Sequence, residues 1–253
     1  MSQPTNDYTA FNPLAYLREY YTEVSPENVA LLRFLVRALA SVPPDSLILD
    51  FGGGPTLYAE LAAAPYAREL HFAEYQPANL EMVRRWLRGE VGIFDWSAFT
   101  RAILEFEGRE PSAQAIAARE ALVRKRLTRL MLCNAYADCP LEESRLYDVV
   151  ITNFCAEAAA NDYAQWRACM AHILSLLRPG GRVILSAVMG ADSYPVGDHE
   201  FLAVRLYPED MHRMLVEEGF DLASIAMDTV GADGPERHYE GLMFATALKR
   251  GPL

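Results

Sequence analysis

The sequence predicts an α/β fold of the doubly wound kind, with one seven-stranded, mostly parallel sheet and helices on both faces. Three observations predict it. Short apolar runs alternate with segments of helical period, the pattern of βαβ units joined into a parallel sheet. The first such run, 47–50, ends at an acid and breaks into three consecutive glycines, Gly52, Gly53 and Gly54, followed by Pro55 and Thr56. The rhythm is interrupted once, over 89–130, by a stretch that reads mostly as helix. The expected organisation is a single domain over 1–253, with a helical lid in 1–45 and the insertion after the second strand.

The elements follow in order. Residues 1–10 are polar and expected to be loose. A helix over 11–21 places Tyr16 and Tyr20 on one face, with Tyr21 beside them. Ser25 and Pro26 open the next helix as N-cap and first residue, apolar period carries it through 31–40, and Pro43-Pro44 stops it. The strand at 47–50 and its glycine turn come next, with Pro55-Thr56 read as the start of a helix. A second strand, 70–73, closes on Glu74, and a helix over 77–88 follows. The insertion carries F-D-W-S (94–97) and a long charged helix over 112–130. Its run Arg124–Arg126 reads as a solvated helix face. Strands at 130–133, 147–152 and 182–188, a helix at 162–177 ended by R-P-G-G (178–181), a helix at 208–218 ended by Gly219, and strands at 222–228 and 241–249 complete a Rossmann-like sheet. In such sheets ligands bind outside the carboxyl ends of the strands. That rule gathers the glycine turn, Glu74, Asn134, the 153–157 segment and the loop after Val188 into one place.

The glycine turn discriminates between nucleotides. A dinucleotide fingerprint needs a third glycine where Leu57 stands, and a Walker loop needs Gly-Lys-Ser/Thr, which is missing. The acid-Gly-x-Gly form better suits S-adenosylmethionine, which carries no phosphate. Glu74 lies at the end of the second strand, where an acid can accept hydrogen bonds from ribose hydroxyls.

Composition narrows the partners. Net charge is −11, against the basic patches that nucleic acid and anionic membranes reward. No run of about 18 apolar residues exists to span a bilayer. The opening MSQPTNDY has neither a basic nor an apolar region, so no signal peptide is expected. Four cysteines without a CxxC pair or clustered histidines read as free thiols in a reducing cytosol, with no metal. A cytoplasmic monomer with a small-molecule partner is the expectation.

With these residues in view, the chain resembles a class I S-adenosylmethionine-dependent methyltransferase. Within that class it is similar to the nicotinamide, phenylethanolamine and thioether/indolethylamine N-methyltransferase family. F-N-P-L-A-Y-L-R-E-Y-Y (11–21), D-F-G-G-G-P-T-L-Y (50–58) and F-D-W-S (94–97) carry the resemblance. C-A-E-A-A (155–159), L-L-R-P-G-G (176–181) and E-G-L-M-F (240–244) agree in place and kind.

The resemblance implies a cofactor site of Tyr16, Tyr21, Gly52, Gly53, Gly54, Thr56, Tyr58, Glu74, Tyr75, Asn79, Asn134, Ala135, Asn153 and Phe154. Glu74 would hold the ribose, with Asn79 in support. Asn134 stands where an acid usually meets the adenine amino group. Tyr20, Glu157 and Tyr194 would face the acceptor. Nicotinamide-type relatives carry an acid at the end of the fifth strand, where this chain has Ala187. Methyl transfer is an in-line displacement on a lone pair, so an ammonium acceptor needs a carboxylate to take its proton, and Glu157 is the candidate. Asp192 and His238 sit in loops near the pocket and read as surface residues. The alternatives are a small-molecule S- or O-methyltransferase, or a catalytically inactive cofactor-binding partner protein.

Overall fold

A computed structural model describes residues 7–141, 143–234 and 238–251. Before the sheet come α1 (Pro13–Tyr20) and α2 (Pro26–Leu39). The element order then runs β1 (Ser46–Phe51), α3 (Tyr58–Ala63), β2 (Ala67–Glu74), α4 (Pro77–Leu87), α5 (Ser97–Phe106), α6 (Ala113–Arg126) and β3 (Leu127–Leu132). After these come β4 (Tyr147–Asn153), α7 (Ala156–Ala159), α8 (Tyr163–Ser175) and β5 (Leu177–Met189). A hairpin, β6 (Ser193–Val196) and β7 (His199–Leu202), precedes α9 (Pro208–Glu217), β8 (Ala226–Gly231) and β9 (Gly241–Leu248).

The seven-stranded sheet has the order β3-β2-β1-β4-β5-β9-β8. Strands β3 to β5 pair in parallel, and β9 is antiparallel to both its neighbours. The chain winds outward from β1 to β3, then returns to lay β4 on the other side of β1. The carboxyl ends of β1 and β4 therefore face a crevice at the point where the winding reverses, the usual ligand position in an open α/β sheet.

Strand residues alternate between two cores because successive side chains point to opposite faces. Ile48, Leu70, Phe72, Val149, Ile151 and Phe244 pack under α2 to α6. Leu47, Leu49, Phe51, Val150, Val183 and Met243 pack under α8 and α9. Strand β1 is buried along its whole length, as expected of a strand covered on both faces. In α2, Leu31, Leu32, Leu35 and Leu39 form the buried stripe, and Ser25 Oγ caps it by accepting from Asn28 N–H (3.2 Å).

Several boundaries differ from the sequence reading, each for a local reason. Helix α3 begins at Tyr58 rather than at Pro55, since Thr56 closes a turn onto Gly53 through both its N–H (3.3 Å) and its hydroxyl (2.7 Å). Strand β3 starts at Leu127, inside the stretch read as helix, because it pairs with β2 from Leu70 onward. R-P-G-G is not a plain turn before β5. Tyr147↔Leu177 and Val149↔Arg182 are successive partners, so these four residues loop out of a strand that begins at Leu177. Residues Leu222–Ser224 form a 3-10 turn rather than strand, as Asp221 accepts from Ala223 N–H (3.2 Å) and offers the backbone a local alternative. The loop expected after Val188 carries the hairpin β6–β7. Of the residues read as loose, 1–6 lie outside the described residues, while Asp7 caps a 3-10 turn over Tyr8–Ala10. Part of the polar loop before β9, 235–237, also lies outside them.

The insertion packs α5 and α6 beside α3. Arg119 of α6, buried, donates to Leu61 O (2.8 Å) and grips Glu107 with two hydrogen bonds (2.9 and 2.5 Å). Arg124 lies over the Trp86 ring at 3.9 Å and Arg126 donates to Arg68 O, so the basic run is tied to the fold at both positions. Removing the guanidinium would strand Glu107 in a largely dry site. Arg119→Met is expected to cost about 3–5 kcal/mol in urea unfolding, and Arg119→Met with Glu107→Leu to recover much of it.

Candidate active site

One cavity of about 590 Å³ opens at the carboxyl ends of β1, β2 and β4, within the roughly 300–1,000 Å³ typical of small-molecule sites. Its floor is the glycine turn. Gly52 and Gly54 have φ of +74° and +62°, a region that side chains rarely adopt. A Cβ placed on Gly52 would lie 2.1 Å from Cys155 Sγ, and one on Gly53 would lie 2.4 Å from the Phe72 ring and 2.7 Å from Asp50 Oδ2. Only bare backbone fits there, and it is left accessible from the cavity side.

Across the crevice, Phe154 has φ of +53°, a strained value for a non-glycine residue. Its N–H donates to Ser186 O (2.9 Å), and Ser186 Oγ donates to Asn153 Oδ1 (2.7 Å), which holds the turn in place. Such strain persists only when its surroundings enforce it, and it concentrates at functional sites. Asn153 Nδ2 and Asn79 Oδ1 are buried and make no hydrogen bond, which leaves one donor and one acceptor in the cavity wall unspent. Burial without a partner is costly, so such groups point to a ligand.

Glu74 ends β2. Its Oε2 accepts from Gly54 N–H (3.0 Å), and its Oε1 accepts from Gln76 N–H (2.9 Å) and Asn79 Nδ2 (3.0 Å). Burial raises its pKa while these donors oppose the shift. Thr56, Tyr58, Tyr75, Asn134 and Ala135 also line the cavity. Asn134 Oδ1 already accepts from Tyr136 N–H (3.0 Å), which leaves it one lone pair for anything else.

The roof is aromatic. Tyr16, Tyr20 and Tyr21 line the cavity, and Tyr21 stacks on Tyr58 at 5.6 Å and packs against Trp96 of the insertion at 5.8 Å. Tyr20 donates to Pro195 O (2.8 Å) of the β6–β7 hairpin. Desolvation pushes the Tyr16 hydroxyl up to about 12, so it enters the site as a neutral donor.

Glu157, at the start of the short α7, lines the cavity at 3% exposure, and its Oε1 accepts from Val188 N–H (3.1 Å). Burial, only partly offset by that hydrogen bond, pushes it up to about 7. Every side chain and glycine that the sequence reading placed at the cofactor or acceptor lines this one cavity. Asp192 does not. It is exposed and paired with Arg205. His238 is exposed and also lies outside the lining. Cys155 is pushed well up by burial, which makes it a structural thiol rather than a nucleophile.

Two parts of the site escaped the sequence reading. Tyr8 donates to Ala158 O (2.6 Å), meets the Tyr194 hydroxyl at 3.3 Å and stacks on Phe201 of β7 at 5.3 Å. The aromatic pair Tyr8 and Phe11, leading into Tyr16, was the one available signal. Glu27, buried at the start of α2, accepts from Asp233 N–H (2.8 Å) and from the Tyr239 hydroxyl (2.7 Å), which ties the lid to the β8–β9 loop. That pairing spans more than 200 residues and leaves no local trace.

Comparison with known proteins agrees with this architecture. The profile of the NNMT/PNMT/TEMT family matches residues 1–250. The chain is 27% identical over 251 residues to nicotinamide N-methyltransferase of Sus scrofa, covering 96% of this chain and 94% of that one. It is 29% identical over 258 residues to phenylethanolamine N-methyltransferase of the same species, covering 96% and 90%. Among solved structures it resembles the glycopeptide N-methyltransferase MtfA complexed with sinefungin, at a TM-score of 0.54 and 15% identity over 92% of this chain and 96% of that one.

The glycine turn sets a graded test. Gly54→Ala has open space around its Cβ and carries only the backbone penalty, about 1–2 kcal/mol in urea unfolding. Gly52→Ala adds the collision with Cys155 and is expected to cost clearly more, with Gly52→Ala/Cys155→Ala returning part of the difference.

Proposed function

The chain belongs to the NNMT/PNMT/TEMT family and is an S-adenosylmethionine-dependent N-methyltransferase of small molecules, and from that premise we propose that its acceptor is an amine or guanidine deprotonated by Glu157. When bound, S-adenosylmethionine supplies a methyl group on a sulfonium centre. The residues present suit such a cofactor. The bare backbone of Gly52 and Gly53 admits close approach, Glu74 keeps one lone pair on Oε2 for a hydroxyl donor, and the unspent Asn79 Oδ1 and Asn153 Nδ2 offer an acceptor and a donor.

The observation that carries the acceptor class is Glu157. An aliphatic amine is mostly protonated at neutral pH and has no free lone pair until it loses that proton. A carboxylate buried at the cavity wall binds the ammonium, and a pKa near 7 matches it to proton transfer at neutral pH. Val188 N–H fixes one carboxylate oxygen, which orients the group. Tyr20 and Tyr194 supply hydroxyls and ring faces on the acceptor side, and the aromatic roof excludes water from the reaction. Ala187 contributes no acid, which weighs against a carboxamide acceptor of the nicotinamide kind.

The same reading takes the chain as a cytoplasmic monomer of one domain that does not engage nucleic acid. A net charge of −11 and four free cysteines support it. Among the described residues, no helix is long and apolar enough to cross a membrane.

The test is turnover with methyl-labelled S-adenosylmethionine against amines, guanidines, pyridines and thioethers, read by mass spectrometry. With an amine acceptor, the rate is expected to rise with pH through about 7, as Glu157 ionises. Glu157→Gln should lower kcat/KM by about 100-fold or more and flatten that rise, while S-adenosylhomocysteine affinity stays within about threefold. Products formed only from pyridines or thioethers, at equal rates in both proteins, would sink the proposal.

A further inference from the structure

Behind the glycine turn lies a pair of acids that the reaction above does not use. Asp50, the acid that ends β1's apolar run, is 4% exposed, and Glu60 of α3 is 1% exposed. Their carboxyl groups hydrogen-bond to each other. Each keeps a second oxygen, Asp50 Oδ1 and Glu60 Oε2, buried without any partner. Neither makes an ion pair among the described residues. Two buried carboxylates cannot both be ionised at this separation without a cation, so a proton has to sit between them.

The neighbouring groups that act on the pair are acidic or neutral. From β2, Glu74 adds negative potential at Asp50. Tyr58 of α3 and Cys133, which follows β3, are neutral groups whose pKa values are pushed well up, Tyr58 and Cys133 both feeling Asp50. On the helices over this face, the buried Arg119 of α6 is committed to Leu61 O and Glu107. On the other side, Asp50 Oδ2 lies 2.7 Å from where a Gly53 Cβ would stand, so the carboxyl group buttresses the turn that forms the cavity floor.

We propose that Glu60 is a positioning residue: it shares one proton with Asp50, seats that carboxyl group beneath Gly53, and leaves a single buried negative charge behind the site of a cationic cofactor. The inference rests on the methyltransferase reading for the identity of the cofactor, and on the fold alone for the pair itself.

The sign of the pH dependence follows. Burial raises both acids, Asp50 to about 7 and Glu60 well above its ordinary value. The folded chain therefore holds protons that the unfolded chain releases at about pH 4. The stability that these protons contribute is complete below that value and is lost as pH rises through about 7. A cation bound in the cavity favours the ionised pair, so S-adenosylmethionine affinity rises over the same range. In Glu60→Gln the amide donates to Asp50 in place of the shared proton, and Asp50 ionises at lower pH.

Two measurements decide the matter. Thermal melting of the ligand-free chain between pH 5 and 8 should show a larger loss of Tm for the parent than for Glu60→Gln. Calorimetric titration with S-adenosylmethionine should show the affinity ratio of parent to Glu60→Gln changing by about fivefold between pH 6 and 8. Glu74 and Glu157 also face the cofactor cavity, and their shares cancel in that ratio. Glu60→Ala, which removes the hydrogen bond, should bind more weakly than Glu60→Gln at every pH. Parallel melting curves, or a ratio independent of pH, would overturn the shared proton. If Glu60→Gln fails to fold, Asp50→Asn removes the same titration, and a parent-to-Asp50→Asn affinity ratio that does not change with pH would overturn the proposal equally. Should S-adenosylmethionine bind neither protein, the cofactor reading fails while the melting series still decides the pair.

Discussion

Gly52 has no room for a side chain, and much of the site depends on that constraint. It leaves β1 where the winding of the sheet reverses, and Cys155 stands directly over it from the β4 side. The two carboxyl ends are thereby held close enough for one ligand to touch both. The positive φ of Gly52 and of Phe154 turns both chain segments away from the sheet axis, and the hydrogen bonds from Phe154 and to Asn153 lock the second turn against β5. The crevice between β1 and β4 is thus a product of backbone geometry before any side chain contributes chemistry.

The roof shows how one set of aromatic residues serves stability and binding together. Tyr21 is almost wholly buried, stacked on Tyr58 and packed against Trp96 and Phe99, yet it also lines the cavity. Rings of this kind bring apolar area and a polar tip on one side chain. The insertion between α4 and β3 contributes Trp96 and Phe99 to that cluster, so it braces the lid from behind. The β6–β7 hairpin braces it from the front through Tyr194 and Phe201. Held at both edges, these aromatic residues form the roof of the cavity.

Electrostatically the interior is acidic. Asp50, Glu60, Glu74 and Glu157 are all buried and all raised, each chiefly by desolvation. They differ in what opposes that cost. Glu74 is held by three N–H donors and Glu157 by Val188, whereas Asp50 and Glu60 each keep one oxygen buried without a partner. Carboxyl groups raised by burial respond to the charge of whatever enters the cavity, which suits a site that takes up a cationic methyl donor.

The sheet, the glycine turn and the family are legible along the chain. Apolar runs of strand length, glycines at a strand end and Ser-Pro at a helix start are local signals whose physics acts within a few residues. The sequence also places Glu74 and Glu157 at strand ends, because connectivity alone puts successive carboxyl ends on one edge of a parallel sheet. Boundaries shifted where a longer-range partner competed with local preference, as when β2 drew Leu127 out of a helical stretch into β3. The contacts between distant segments arise from the packing of the whole fold: Tyr8 on Ala158, Glu27 on Tyr239, Arg119 on Glu107, and Glu60 on Asp50. Glu60 reads along the chain as an ordinary helical acid. Its burial against a second carboxyl group follows from how α3 packs on β1, and helix packing is set by the whole core rather than by any short stretch of sequence.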